Sequence, residues 1–392
     1  MIVEFLNKAR MYEEQGNNED AVHWYRKAAE MGNKEAQYSL GYAYEYGDGV
    51  EENMEQAIFW YSKAAEQNHA AAQYSLGCAY EYGEGVEEDA EQAVLWYRKA
   101  AEQNHAAAQY CLGCAYEYGE GIEEDVDQAV LWYRNAAEQN HAAAQYSLGF
   151  MYEYGEGVEE NIEKAFELYR KSAEAEYALA QYRLGSAEKD VHKAMEWYKK
   201  AAAQNHAESL YRLGMCYENG WLGFKNFEDS FRYYKKAAEQ KHTESLFNVG
   251  VFYERGIAVE KNIHEALYYY REAAEKGHVP AIFNMASLQE SAGFYTEAFN
   301  NYQKAADNDF APAQYNLGVF YERGCGTTQD SERALYWYLK AAEQGHLDAQ
   351  FNVGNCYQNG IGTSINLEQA RYWFTCAAEQ GDQEAACRLR QF

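Results

Sequence analysis

The chain has 392 residues, 47% of them hydrophobic, and sets 34 Lys and Arg against 62 Asp and Glu, a formal net charge of −28. A nucleic-acid binder needs a basic stripe that displaces counterions, and an anionic membrane surface selects the same charge, so this balance argues against both. It favours basic partners or plain solubility.

The first residues, Met1 to Leu6, show no basic region leading into a long apolar run, so no secretory leader is expected. No stretch approaches the ~18 consecutive apolar residues of a membrane span. The eight cysteines do not recur as a pair in every repeat, so no disulfide framework is expected and the default compartment is a reducing cytoplasm. Only two prolines occur, which suits uninterrupted helices.

Residues 1–33 form a first unit in which Ala9, Tyr12, Gly16 and Ala21 keep the spacing of a 34-residue helix-turn-helix repeat. Asn17 is placed to cap its second helix, with Trp24 and Tyr25 on the inner face. Four units follow at 34–69, 70–105, 106–141 and 142–177. Leu40-Gly41, Leu76-Gly77, Leu112-Gly113, Leu148-Gly149 and Leu184-Gly185 recur every 36 residues. A period of that size means a solenoid, whose units bury their apolar faces only against neighbours. In the first of the four, Ala36, Leu40, Ala43 and Tyr44 trace the buried stripe of a helix from about Glu35 to Tyr46. Gly41 lets a second helix approach, and Gly47 suits the left-handed residue that ends the first. Asn53 with Gln56 predicts a capping box for the second helix, repeated at Asp89/Gln92, Asp125/Gln128 and Asn366/Gln369. Trp60 is expected to fill the gap between helices. Asn68, Asn104 and Asn140 stand where later units have Gly277, Gly345 and Gly381, so left-handed backbone is expected there too.

The unit at 178–206 is shortened: Gly185 to Gly214 is 29 residues rather than 36. A bend or pitch change is expected near Ser186–Asp190. Units at 207–242 and 243–278 return to the longer period. The unit at 279–310 keeps the 34-residue spacing through Ala286, Gly293 and Ala298. Units at 311–346 and 347–382 close the array, and 383–392 reads as a capping helix.

The pattern Ala-x-x-x-Leu-Gly-x-x-Tyr-x-x-Gly-x-Gly-Val, then Ala-x-x-Trp-Tyr-x-Lys-Ala-Ala-Glu, complete over Ala72 to Glu102, resembles the Sel-1-like repeat family, a relative of the tetratricopeptide repeat. The resemblance implies an all-α fold: a right-handed α/α superhelical solenoid of about eleven helix-turn-helix repeats, one continuous array over 1–392. It also implies a non-catalytic adaptor that assembles protein complexes, with no cofactor. Some relatives are exported and others serve membrane-associated protein degradation.

In tetratricopeptide stacks the first helix of each hairpin lines a concave groove. Matching Gly41 to that helix's glycine places Tyr38, Tyr42, Glu45 and Tyr46 on the groove, then Tyr74, Cys78, Glu81 and Tyr82. Tyr110, Cys114, Glu117 and Tyr118 follow, then Tyr146, Phe150, Glu153 and Tyr154. Later units add Tyr182, Tyr211, Glu218, Phe247, Glu254, Arg255, Phe283, Glu290, Tyr315, Glu322 and Arg323. Such a tyrosine ladder suits recognition of a protein or peptide segment, and the glutamate row selects one bearing Lys or Arg. The alternative is that the rings pack between adjacent helices and the carboxylates are only solvated. Basic clamp residues for a chain-terminal carboxylate are missing from the N-terminal half of that groove.

Other clusters read as structural. The acidic loops Glu51-Glu52, Glu87-Glu88, Glu123-Glu124 and Glu159-Glu160 sit near helix N-termini, where negative charge is favourable. His69, His105, His141, His206, His242, His278 and His346 fall at hairpin junctions, one repeat apart, too far to share a metal. Cys111 and Cys114 form Cys-x-x-Cys on a helix, without the βαβ setting of a redox motif. No phosphate loop or nucleophile elbow is present. The remaining readings are a regulatory or activating subunit of an enzyme complex, and a secreted bacterial effector acting on host proteins.

Overall fold

The computed structural model describes residues 1–390, all of them helix, turn or loop, with 23 α-helices among them. They fall into two compact units, Met1–Ala201 and Ala202–Phe392. In the first, α1 (Ile2–Glu14) and α2 (Asn18–Glu30) form a hairpin, followed by α3 (Lys34–Tyr46) with α4 (Met54–Glu66) and α5 (Ala70–Tyr82) with α6 (Ala90–Glu102). Then come α7 (Ala106–Tyr118) with α8 (Val126–Glu138), α9 (Ala142–Tyr154) with α10 (Ile162–Glu174), and α11 (Ala178–Ala187) with α12 (Val191–Ala203), whose last turn crosses the division. The second unit pairs α13 (Ala207–Asn219) with α14 (Phe227–Glu239), α15 (Thr243–Arg255) with α16 (Ile263–Glu275), and α17 (Val279–Ser291) with α18 (Tyr295–Asp307). It ends with α19 (Ala311–Arg323) and α20 (Ser331–Glu343), α21 (Leu347–Asn359) and α22 (Leu367–Glu379), and α23 (Gln383–Leu389). The expected cap at 383–392 is thus a short helix; Gln391 and Phe392 lie outside the described residues.

The hairpins close as the sequence predicts, with one difference. Gly47 ends α3 at φ +67°, and Asn68, Asn104 and Asn140 take φ of 61°, 66° and 62°. Asn53 Oδ1 accepts from the Gln56 amide at 2.9 Å, but the other half of the capping box is replaced by a backbone bond. The Asn53 amide donates to the Tyr44 carbonyl at 2.8 Å, as Asp89 does to Tyr80 and Asp125 to Tyr116, both at 2.9 Å. A carbonyl of the last turn lacks an intrahelical partner, so it outcompetes a flexible glutamine side chain. The shortened unit loses residues from both helix and loop: α11 has 10 residues where α9 has 13, and Glu188 follows it in extended rather than left-handed backbone.

Each core cluster joins the second helix of one hairpin to the first helix of the next. Ala93, Val94, Tyr97, Ala100 and Ala101 of α6 bury against Ala108, Leu112 and Ala115 of α7. The large side chain at the centre is the tyrosine after the tryptophan. Tyr61, Tyr97 and Tyr133 are buried, while Trp60 is only half-buried. This corrects the expectation for Trp60. The anchor glycine explains it, because a Cβ on Gly77 would lie 2.4 Å from Cδ1 and Cε1 of Tyr97. The tyrosine ring occupies the space the glycine leaves.

Candidate partner-binding faces

The first helices of the hairpins present four columns of candidate residues, and the structure gives them different roles. The column three residues before the anchor is packed between repeats. Tyr38 stacks on His69 at 4.7 Å between ring centroids, Tyr74 on His105 at 4.9 Å and Tyr110 on His141 at 5.0 Å. Tyr146 instead meets Tyr177 at 5.5 Å. In the second unit Tyr211 meets His242 at 4.9 Å, and Phe247 and Tyr315 meet His278 and His346 at 4.7 Å. Tyr182 lies 6.0 Å from Tyr198 and Phe283 lies 5.4 Å from Phe310.

The glutamate column is held from below. Tyr61, Tyr97 and Tyr133 donate their hydroxyls to Glu45, Glu81 and Glu117. Tyr169 donates to Glu153 and Tyr234 to Glu218, both at 2.7 Å. Tyr270 donates to Glu254, and Tyr302 and Tyr338 reach Glu290 at 2.7 Å and Glu322 at 2.8 Å. Burial and the neighbouring carboxylate push these phenols up, so they stay protonated donors. Sequence reasoning missed this pairing, although its signal was present: a tyrosine sixteen residues after the glutamate in every 36-residue unit but the last, which has Gln358 and Phe374. Glu153 carries an extra partner, Arg183, whose guanidinium also bonds the Tyr154 hydroxyl at 2.8 Å.

The column one residue after the glutamate is exposed. Tyr46, Tyr82, Tyr118 and Tyr154 show 60%, 65%, 66% and 52% of their surface to solvent. Tyr42 is also exposed and lies 4.5 Å from Tyr46, as Phe150 does from Tyr154. The Glu45 hydrogen bond pushes the Tyr46 phenol up to about 12, and burial with Glu117 does the same for Tyr118. Between successive first helices lie clefts that no basic side chain lines. One of about 250 Å³ is walled by Glu13, Tyr25, Tyr38, Tyr42 and Asp48. One of about 430 Å³, at the equivalent place two repeats on, is walled by Glu81, Tyr82, Tyr97, Cys114 and Glu120. In the second unit the exposed column holds Asn219, Arg255 and Arg323 instead.

The junction histidines cap helices, a role the sequence reading did not assign. Nδ1 of His69 accepts from the Ala72 amide at 3.1 Å, and His105, His141, His206, His242, His278 and His346 repeat the bond at 3.1–3.4 Å. Nδ1 must therefore be unprotonated, which leaves Nε2 as the donor. Nε2 of His69 meets Glu35 at 3.1 Å, His242 meets Glu208 at 2.9 Å and His278 meets Glu244 at 3.0 Å. Burial pushes His105, His141, His206 and His346 below the usual imidazole range.

Cys78, Cys111 and Cys114 are half-buried unpaired thiols, pushed up by desolvation and so poor nucleophiles. Among the described residues no group of three His, Cys, Asp or Glu side chains is arranged to hold a metal ion. No helix among them is long and apolar enough to cross a membrane.

The Sel1 repeat family model matches eleven segments: 11–33, 34–69, 70–105, 106–141, 142–177, 173–206, 207–242, 243–278, 295–310, 311–346 and 347–382. Among solved structures, a protective antigen of uropathogenic Escherichia coli displaying an SLR fold is 33% identical. The match covers 100% of this chain and 87% of that one, with a TM-score of 0.82. A Sel1 repeat protein from Oxalobacter formigenes is 32% identical over 60% of this chain and 99% of its own, with a TM-score of 0.56. Among curated proteins, DAP3-binding cell death enhancer 1 of Mus musculus is 49% identical over 43 residues. That match spans 11% of this chain and only 8% of the mouse protein.

Proposed function

We infer function from one premise: the chain belongs to the Sel1 repeat family. On that premise it is a non-catalytic protein-binding scaffold, and the first-helix face of its first unit holds a basic segment of a protein partner. The observation that carries this reading is the exposed tyrosine column Tyr46, Tyr82, Tyr118 and Tyr154 beside clefts walled by carboxylates and phenols. Packing does not need those rings, since the core tyrosines and the stacked Tyr38, Tyr74 and Tyr110 already fill the interior. Aromatic anchors have few rotatable bonds, so they give contact area at low entropic cost. The glutamates beside them attract Lys or Arg and hasten encounter. A cytoplasmic home belongs to the same proposal, and cell fractionation tests it.

The test compares the wild-type protein with Tyr82→Ala/Tyr118→Ala/Tyr154→Ala, first against a labelled library of Lys- and Arg-rich peptides by fluorescence anisotropy, then in pull-downs. The variant should lose affinity about tenfold or more, the effect of removing interface anchors, with its circular dichroism unchanged. Rising salt should weaken wild-type binding. Undiminished binding by the folded variant would overturn the reading.

A further inference from the structure

The second helices of the first unit are near copies of one another, and one rung departs from the pattern. Trp60, Trp96 and Trp132 each pack on the cluster formed by the preceding second helix and their own first helix. Just beyond each of these helices, Gln67, Gln103 and Gln139 donate Nε2 to the buried Oε1 of Gln37, Gln73 and Gln109, at 2.7, 2.6 and 2.7 Å. At α10 both features are lost. Leu168 stands where the tryptophan was, and Ala175 stands where the glutamine was. Lys164 and Glu167 replace a glutamine and an apolar residue on the same helix.

Three of these departures, Lys164, Glu167 and Leu168, meet at one place, and the fourth removes the donor that the preceding rungs give to the buried glutamine. A cavity of about 360 Å³ opens between α8, α9 and α10, with Gln145, Leu148, Leu168, Arg134 and Lys164 among its lining. Gln145 is 2% exposed, and its Nε2 is fixed by the Ala137 carbonyl at 3.3 Å. Its Oε1 is buried without a hydrogen-bond partner. A buried acceptor left unpaired lowers stability unless something supplies a donor. The charges at the rim have changed as well. In the preceding rung Arg98 donates to the Tyr116 hydroxyl at 3.0 Å. Here Lys164 sits over the Tyr152 ring, 5.2 Å from its centroid, and Arg134 makes no such bond. Lys171 is already paired with Glu167 at 2.7 Å. Among the described residues, Arg134 and Lys164 face the cavity outside any ion pair, on a chain whose net charge is −28. With Lys171, Glu138 and Glu167 counted, the lining is still net positive.

We propose that this cavity binds a small carboxylate that carries an amide N–H, as an N-acylated amino acid does. The N–H donates to Gln145 Oε1. The carboxylate faces Arg134 and Lys164, where charge-assisted bonds are the strong ones. The aliphatic part lies on Leu148 and Leu168. A volume of this size accommodates such a molecule. The end of a peptide chain offers the same chemistry, so the test has an arm for each source.

Isothermal titration of the full chain with N-acetylglycine and with acetyl-triglycine should show saturable binding. Propionate, which lacks the N–H, should bind about tenfold more weakly, the worth of one good hydrogen bond. Leu168→Trp refills the cavity as the other rungs do, and Ala175→Gln gives Gln145 its missing donor. Both variants should melt no lower than wild type and lose affinity at least tenfold. Tighter binding of N-acetylglycine would identify a free small molecule, and tighter binding of acetyl-triglycine a chain end. The proposal fails if neither probe saturates the wild-type protein by about 10 mM, or if the two folded variants bind as well as wild type. In that case the cavity holds only water.

Discussion

The two units share a frame and differ on the face. In both, a buried tyrosine of the second helix donates to the glutamate of the first: Tyr97 to Glu81 in one, Tyr234 to Glu218 in the other. One residue beyond that glutamate the units part. The first presents Tyr46, Tyr82, Tyr118 and Tyr154; the second presents Asn219, Arg255, Ser291 and Arg323. The residue after the helix-ending glycine changes as well, from Asp48, Glu84, Glu120 and Glu156 to Trp221, Ile257, Cys325 and Ile361. Side chains that fill the interior are held by their neighbours on all sides, so they repeat. Those at the end of each first helix are held less fully, and there the two units acquire different chemistry.

If the frame is common, breaking it must hurt both units alike. Tyr97→Ala and Tyr270→Ala each remove a buried ring. Each should cost about 3–5 kcal/mol, as large-to-small core changes do, read by denaturant unfolding. A marked inequality would show that one unit rests on other contacts.

The face should behave in the opposite way. Binding of a basic peptide should fall about tenfold or more with the Tyr82, Tyr118 and Tyr154 substitutions. Arg255→Ala/Arg323→Ala should leave it unchanged or slightly tighter, because positive charge is removed. Equal losses from both sets would erase the distinction.

A smaller effect sharpens the comparison in the loops. Gly121 sits at φ +68°, and a Cβ there would lie 2.2 Å from the Ala90 carbonyl oxygen. The second unit places Ala258 at φ +58° in the corresponding loop. Gly121→Ala should destabilise by about 1–3 kcal/mol through overpacking and a left-handed side-chain residue. Ala258→Gly should stabilise by roughly 1 kcal/mol, by relieving that conformation. Thermal melts check both signs.

The smallest effect is shared by both units. His105, His141, His206 and His346 are held below their unfolded value by burial. A depressed folded pKa means that the unfolded chain takes up the proton first. The stability these groups contribute is therefore complete above about pH 6.5 and drains away as pH falls below it. Protonation also puts a hydrogen on Nδ1, where the helix amide already points. The melting temperature should drop between pH 7.5 and 5, and His105→Asn/His141→Asn, which keeps a capping oxygen, should flatten that slope. A profile that is level in wild type would refute the capping account.

Much of the fold was legible because each hairpin is local. The left-handed backbone at Gly47 and Asn68 and the caps at Asn53 and Asp89 follow from a few neighbouring residues. The candidate face was only partly legible. Periodicity put Tyr38, Tyr42 and Tyr46 on one helix, but it could not show which ring would stack on the histidine at the hairpin junction and which would stay in solvent. Likewise Trp60 and Tyr61 are adjacent and both aromatic, and only the approach of Gly41 decides which one is buried.

The sequence by itself determined the helices, the turns between them, the order of the hairpins and the family. Hydrogen bonding and backbone preference act over a few residues, so a 36-residue copy carries them whole. Only the tertiary structure decided which side chains of different helices meet: the tyrosine under each glutamate, the aromatic ring stacked on a junction histidine, and the cavity left where Leu168 replaces Trp. Those contacts join side chains on different helices, sixteen residues apart for Glu45 and Tyr61 and about thirty for Tyr38 and His69, and their outcome depends on which atoms reach each other in space.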